Sequence, residues 1–427
     1  MSTRDRYLDL LRALAISCVV LGHWLITALT HVDGALAAPE LLVTVPWTQW
    51  LTLVFQIMPL FFLAGGATAS ASWARADGRA LPWLRQRTVR LLLPTAVYAG
   101  LALAAVGACT VIGVDRGILA MVGWALAMQF WFLPVYLLVT ALTPLLHAAH
   151  RRFGLAVPAV LGLLAVVVDL VVLGAHPPVL GSVNYVLVWA VAYQLGFCWA
   201  DGLLTRHRLL PWGLAAGGGA AFALLVAYGP FPVSLILVSD ETVSNTDPPS
   251  VAMLAWVVAQ CGLCVALAPA GRRLVARPAL WRVVRPLGRA SMAVYLWHML
   301  PVLAVAAALY LPGLAPEPGV GSPAWWALRL PWLAVLTLLL LALLAALAPL
   351  DRALTRLATA LRPDAPVRNP PLFALGLAAV VQSLATFATH GFAYQGHFPT
   401  TPTALLTLGT TLTLAAAERR QELSATG

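Results

Sequence analysis

The chain has 427 residues, 61% of them hydrophobic and only 10% charged, and its formal net charge is +10. A soluble globular domain carries about 25% charged residues, so this composition excludes an ordinary soluble protein and points to a polytopic membrane protein. In that setting the positive charge is expected in loops on one side of a bilayer, and no nucleic-acid-binding motif accompanies it. Every basic residue is arginine, which, with abundant Ala, Leu, Gly and Pro, reads as the bias of a GC-rich bacterial genome.

Apolar runs of about 20 residues mark spanning helices. In chain order they fall at 7–29, 44–69, 88–109, 122–146, 154–174, 183–201, 209–228, 250–270, 290–311, 325–349, 372–389 and 402–417. The first reads as a retained helix, because its apolar stretch from Tyr7 to Leu29 outruns the h-region of a cleaved leader. Pro46 and Pro59 predict a kink or break in the second. The twelfth is short and rich in Thr.

The arginines test this count. Summed over alternate loops, 23 lie on one side and only Arg116 on the other, with Arg12 and Arg329 inside spans. So strict an alternation predicts twelve helices with both termini cytoplasmic. The expected fold class is all-α: a polytopic membrane protein with a ten-helix transmembrane core (1–349) and two C-terminal helices. The Pro- and Arg-rich stretch 350–371 reads as a cytoplasmic linker, and 372–427 as accessory helices and tail. The five cysteines, Cys18, Cys109, Cys198, Cys261 and Cys264, lie in or beside apolar stretches and read as packing residues rather than a disulfide framework.

Ionisable groups inside spans are costly and mark function by default. The first helix carries three: Asp9, Arg12 and His23. Asp9 lies three residues before Arg12, so the two share a face and can pair. His23 lies eleven residues beyond Arg12, and eleven steps of about 100° return it to within about 20° of the same face, about 16 Å further along. The alternative readings are a snorkelling, paired arginine and a core histidine satisfied by a neighbouring helix. A long, thin ligand with phosphates at Arg12 and a reacting group at His23 would use this face, and an acyl-coenzyme A has that form. Histidine is the natural general base for a hydroxyl attacking its thioester.

With these residues in view, the opening "LDLLRALAISCVVLGH" (8–23) resembles the start of the acyltransferase-3 family of integral membrane acyltransferases, whose hallmark is an Arg and a His separated by ten residues. Further stretches agree in order: "QIMPLFFLAGG" (56–66), with Ala64 and Gly65 where the family has Ser-Gly; "RTVRLLLPTAVY" (87–98), through Arg87, Arg90 and Pro94; "FWFLPVYLL" (130–138); and "LGRASMAVYLWHML" (287–300), through Ser291, Tyr295, Leu296 and His298. The resemblance covers roughly 7–349. It implies transfer of an acyl group, often acetyl, from a cytoplasmic acyl-CoA co-substrate to a hydroxyl on a carbohydrate, lipid or metabolite, with Arg12 and His23 essential.

On this reading His23 and Arg12 are catalytic, with His23 acting as general base or being acylated transiently. Arg87 and Arg90, one helical turn apart at a helix entrance, suit a polyphosphate, and are assigned with Trp131 to donor binding; ordinary positive-inside charge and core packing are the alternatives. Asp9, Ser291, Tyr295 and His298 support the site. No metal and no permanently bound cofactor is expected, and the partners are acyl-CoA, the hydroxyl-bearing acceptor and the lipid bilayer. The competing expectation is a twelve-helix secondary transporter, whose intramembrane charges would couple protons.

Overall fold

A computed structural model describes residues 5–32, 35–175, 179–361 and 367–416. The described residues are 78% helical with almost no strand. The principal helices, in order, are α1 (Arg6–Ile26), α2 (Met58–Trp73), α3 (Ala80–Val111), α4 (Arg116–Ala127), α5 (Phe132–Ala141), α6 (Thr143–Phe153), α7 (Ala156–Ala175), α8 (Val183–Ala200), α9 (Leu209–Tyr228), α10 (Val251–Ala266), α11 (Ala268–Val275), α12 (Pro278–Trp297), α13 (Leu300–Val305), α14 (Pro323–Ala360), α15 (Pro370–His390) and α16 (Thr400–Ala415). A two-stranded antiparallel ribbon, β1 (Thr30–Val32) and β2 (Ala35–Ala37), follows α1.

Among the described residues, nine helical segments are long and apolar enough to cross a membrane, and eleven if each of two bent pairs is one span. The protein is therefore an all-α, multi-pass membrane protein. The bent pairs are α10–α11, at 56°, and α12 with the helix through Tyr310, at 48°. Each bend precedes a proline in the first turn of the following helix, Pro269 and Pro301, where the missing N–H and the ring break the ladder. The expected twelfth span falls short: α16 has 16 residues, about 24 Å of helix against a hydrocarbon core of about 30 Å. The tenth overruns its expected end, because α14 continues to Ala360, into the stretch read as linker.

The second expected span is broken. Short helical pieces run from Leu41 to Phe55, and α2 starts only at Met58, immediately before Pro59. Polar groups freed at such a break need partners in a membrane protein, and side chains supply them. Gln56 donates through Nε2 to the Leu235 carbonyl at 2.9 Å, Gln260 donates to the Gln56 carbonyl at 2.9 Å, and Leu235 N–H donates to Thr52 Oγ1 at 3.0 Å.

The helices form two compact units. One comprises the chain up to Ala74 with Leu142–Leu343; the other comprises Arg75–Ala141 with the residues from Leu344 onward. In the first, α2 and α8 pack backbone to backbone through reciprocal glycines. A Cβ on Gly66 would collide with the Tyr193 carbonyl, and one on Gly196 with the Leu63 carbonyl. Without a hydrophobic force between helices in lipid, small residues of this kind permit the approach that dispersion needs.

In the second unit α15 and α16 pack with α3, α4 and α5. The fully buried Arg85 of α3 donates from Nη2 to the carbonyls of Leu361, just past α14, and Leu414, near the end of α16, at 3.3 and 3.5 Å. A cation at two helix C-termini meets both their unpaired carbonyls and their dipoles. Phe130, Phe387 and Phe392 add an aromatic core, with neighbouring ring centroids 5.6 and 4.8 Å apart.

Candidate active site

Helix α1 is fixed at both ends. The Asp5 side chain accepts the Tyr7 N–H at 2.9 Å as N-cap, and Asp9 in the first turn suits the positive end of the dipole. Tyr7 donates to the Cys264 carbonyl at 2.7 Å, and the Arg6 guanidinium lies 4.9 Å from the Trp281 ring centre. At the other end, Arg329 donates from Nη1 to the Thr27 carbonyl at 2.9 Å and Trp332 from Nε1 to the Trp24 carbonyl at 2.8 Å. Arg329 is only 6% exposed, and its guanidinium lies over Trp325 at 4.0 Å and Trp332 at 5.0 Å. The sequence marked Arg329 only as an exception to the loop pattern; the structure makes it the C-terminal cap of the helix that carries Arg12 and His23.

Arg12 is half-buried and turned toward α2. It donates from Nη2 to Thr68 Oγ1 at 2.9 Å and to the Ala64 carbonyl at 3.3 Å. Its expected partner Asp9 is buried, and its carboxylate lies 3.9 Å from Nη1, at the outer limit of an ion pair. The hydroxyl partner is thus Thr68, one turn beyond Ala64. Sequence reasoning missed Thr68, because nothing near it in the chain refers to Arg12.

His23 meets another histidine across 275 residues of chain. Its Nδ1 lies 2.8 Å from His298 Nε2, and the rings are nearly parallel at 21°, with centres 5.0 Å apart. His298 is fully buried at the C-cap of α12, where the chain bends toward Pro301. Its Nδ1 lies 2.8 Å from the Tyr295 carbonyl, and its own carbonyl accepts from Trp24 Nε1 at 2.8 Å. As a residue His23 is half-buried, whereas His298 is fully buried.

Of the other residues named from sequence, Tyr295 enters this network through its backbone. Ser291 donates within α12 to the Gly288 carbonyl at 3.2 Å. Arg87, Arg90 and Trp131 belong to the second unit. There the Arg87 guanidinium lies 4.5 Å from the Trp83 ring centre, Arg90 is exposed, and Trp131 meets Phe132 edge-on at 6.4 Å. His390 hydrogen-bonds Thr389 and meets the Tyr394 ring edge-on. All five cysteines are free thiols.

An all-α membrane fold with an inward-facing arginine and histidine on its first helix defines an integral membrane protein with an intramembrane polar site. The acyltransferase-3 family model, an acyltransferase domain, matches residues 5–350. The chain belongs to this family and is a membrane acyltransferase, and the match has the extent read from the motifs. No curated protein and no solved structure matches the chain.

Proposed function

We propose that this acyltransferase moves an acyl group, acetyl in the simplest case, from cytoplasmic acyl-coenzyme A to a hydroxyl of a carbohydrate, lipid or metabolite. The observation that carries the reading is the pair of polar positions on α1. Arg12 and His23 both turn into the protein, each toward a different helix, with a rise of about 16 Å between them. Arg12, half-buried, carries the forked and permanently charged guanidinium that suits an anionic group of the donor. His23 stands where the thioester of an extended pantetheine arm would arrive.

The reaction is a nucleophilic substitution at the thioester. The acceptor oxygen forms a bond to the carbonyl carbon while its proton passes to His23. The carbon–sulfur bond breaks, and the coenzyme A thiolate leaves and takes up the proton. Arg87 and Arg90, with the spacing for a polyphosphate, and Trp131 are assigned to donor binding on their chemistry alone. The arginine asymmetry supports placement in a bacterial cytoplasmic membrane with both termini cytoplasmic; that orientation requires α16 to complete a crossing with 16 residues.

The test supplies the purified protein, in nanodiscs, with acetyl-labelled acetyl-CoA and extracted glycans, lipids and metabolites. Label transfer with release of coenzyme A is expected from the parent and not from a folded His23→Ala variant. Equal transfer by both would overturn the assignment of His23, and no transfer or hydrolysis with any acyl-CoA would overturn the donor.

A further inference from the structure

We infer that His298 is the positioning residue of the site: it fixes the tautomer of His23, so that Nε2 of His23 is the only basic nitrogen offered to the acceptor hydroxyl. The reaction it serves is the acyl transfer proposed above; the hydrogen-bonding argument stands on the geometry alone.

The argument starts at the Tyr295 carbonyl. A carbonyl oxygen only accepts, so the nitrogen 2.8 Å from it, His298 Nδ1, carries a proton. A neutral imidazole holds one proton, so His298 Nε2 is bare and accepts. The atom 2.8 Å from it is His23 Nδ1, which must therefore donate. His23 then has its single proton on Nδ1 and its lone pair on Nε2. The opposite arrangement would set the His298 Nδ1 lone pair against the Tyr295 carbonyl lone pairs in a buried site, a repulsion with no hydrogen bond to offset it.

The backbone holds the chain of bonds in register. Trp24, the residue next to His23, donates to the His298 carbonyl at 2.8 Å. The Tyr295–His298 contact lies within the last turn of α12, whose following bend frees the His298 ring to point at α1. The logic is that of a histidine oriented by a second group on its other nitrogen, with a neutral imidazole in place of a carboxylate. When the acceptor hydroxyl gives its proton to His23 Nε2, the new imidazolium still donates through Nδ1 to His298 Nε2. That bond becomes charge-assisted and strengthens as the proton moves.

The test reads the tautomer directly. Full-length protein labelled with 15N-histidine is placed in nanodiscs, and long-range proton–nitrogen correlations report which ring nitrogens carry hydrogen, with the His23→Gln and His298→Gln variants giving the assignments. Both rings are expected with protonated Nδ1 and bare Nε2; a His23 ring protonated at Nε2 would overturn the inference. In His298→Phe, which keeps the volume but offers no acceptor, His23 should lose its single tautomer and kcat should fall by about 10²–10⁴-fold with the KM for acetyl-CoA unchanged. His298→Gln, whose amide oxygen can reach the same position, should keep kcat within about tenfold of the parent. A folded His298→Phe protein with parental kcat and a parental His23 spectrum would sink the proposal. Should His298→Phe not fold, the spectra of the parent and of His298→Gln decide. A parent that transfers no acyl group defeats the proposed function, and its spectrum still decides the tautomer.

Discussion

Arg12 and His23 share one helix face, yet the protein holds them in different ways. Around His23 the bonds are short and numerous: His298 is fully buried and bonded on both ring nitrogens, and Trp24, Trp332 and Arg329 close the end of the helix with bonds of 2.8 to 2.9 Å. Around Arg12 the partners are of another kind. The carboxylate of Asp9 lies 3.9 Å away, and a threonine hydroxyl and a carbonyl take the guanidinium. On the proposed function the two ends of one helix divide the work: the rigid end at His23 would fix the geometry of the proton transfer, and Arg12 would meet the anionic part of the donor.

The sharpest way to break this comparison is to weaken each end conservatively and separate kcat from KM. His23→Gln keeps a polar side chain but removes the base, so kcat should fall by about 10²–10⁴-fold with the KM for acyl-CoA little changed. Arg12→Lys keeps the charge but loses the forked donor set, so KM should rise by about tenfold while kcat moves less. Steady-state kinetics in nanodiscs measures both. The same pattern in the two variants, or the reverse pattern, would mean that the two ends do not divide the work.

A smaller effect is expected where the rigid end is anchored. Arg329→Gln should remove the bond to the Thr27 carbonyl and the stacking on Trp325 and Trp332, lowering stability by about 1–2 kcal/mol. Thermal unfolding in detergent followed by tryptophan fluorescence reads this loss. The comparison is sharpened if Arg329→Gln also lowers kcat at temperatures where the protein stays folded, because the cap would then act on His23 through the last turn of α1. Unchanged stability would mean that Trp332 alone holds that end.

How much of this was legible beforehand follows from the range over which each signal acts. Apolar runs report helices directly, and the 3.6-residue period placed Arg12 and His23 on one face without any structure. Prolines reported the break before α2 and, at Pro269 and Pro301, two bends not drawn from sequence. The end of α14 was misplaced because hydropathy ends near Leu350 where "DRALTRLATA" begins, while helix propensity continues to Ala360. Partners across the fold were out of reach. His298 was named as a supporting residue through its motif, but its bond to His23 spans 275 residues, and Thr68 and Arg329 act through helix packing that no local pattern encodes.

The smallest expected effect lies where α1 leads into the β1–β2 ribbon. Glu317, in the connection between Tyr310 and α14, accepts the His31 N–H at 2.8 Å and the Thr30 hydroxyl at 3.0 Å through Oε2, and its Oε1 lies 2.6 Å from His31 Nδ1. The His31 backbone bond, then the His31 side chain, hold the Glu317 carboxyl below its ordinary value, and the Thr30 hydroxyl adds to them. A lowered carboxyl value means that the clasp is complete above the ordinary carboxylate range and is lost only as the pH falls through the lowered value. Amide exchange at His31 should therefore stay slow through mildly acidic pH and quicken only in stronger acid, while Glu317→Gln, which keeps the shape but loses the charge, should exchange faster at neutral pH. If exchange at His31 quickened already at pH 6, a group other than this carboxylate would govern the ribbon. The rigid end of α1 would then finish at Arg329 and Trp332, without the clasp beyond.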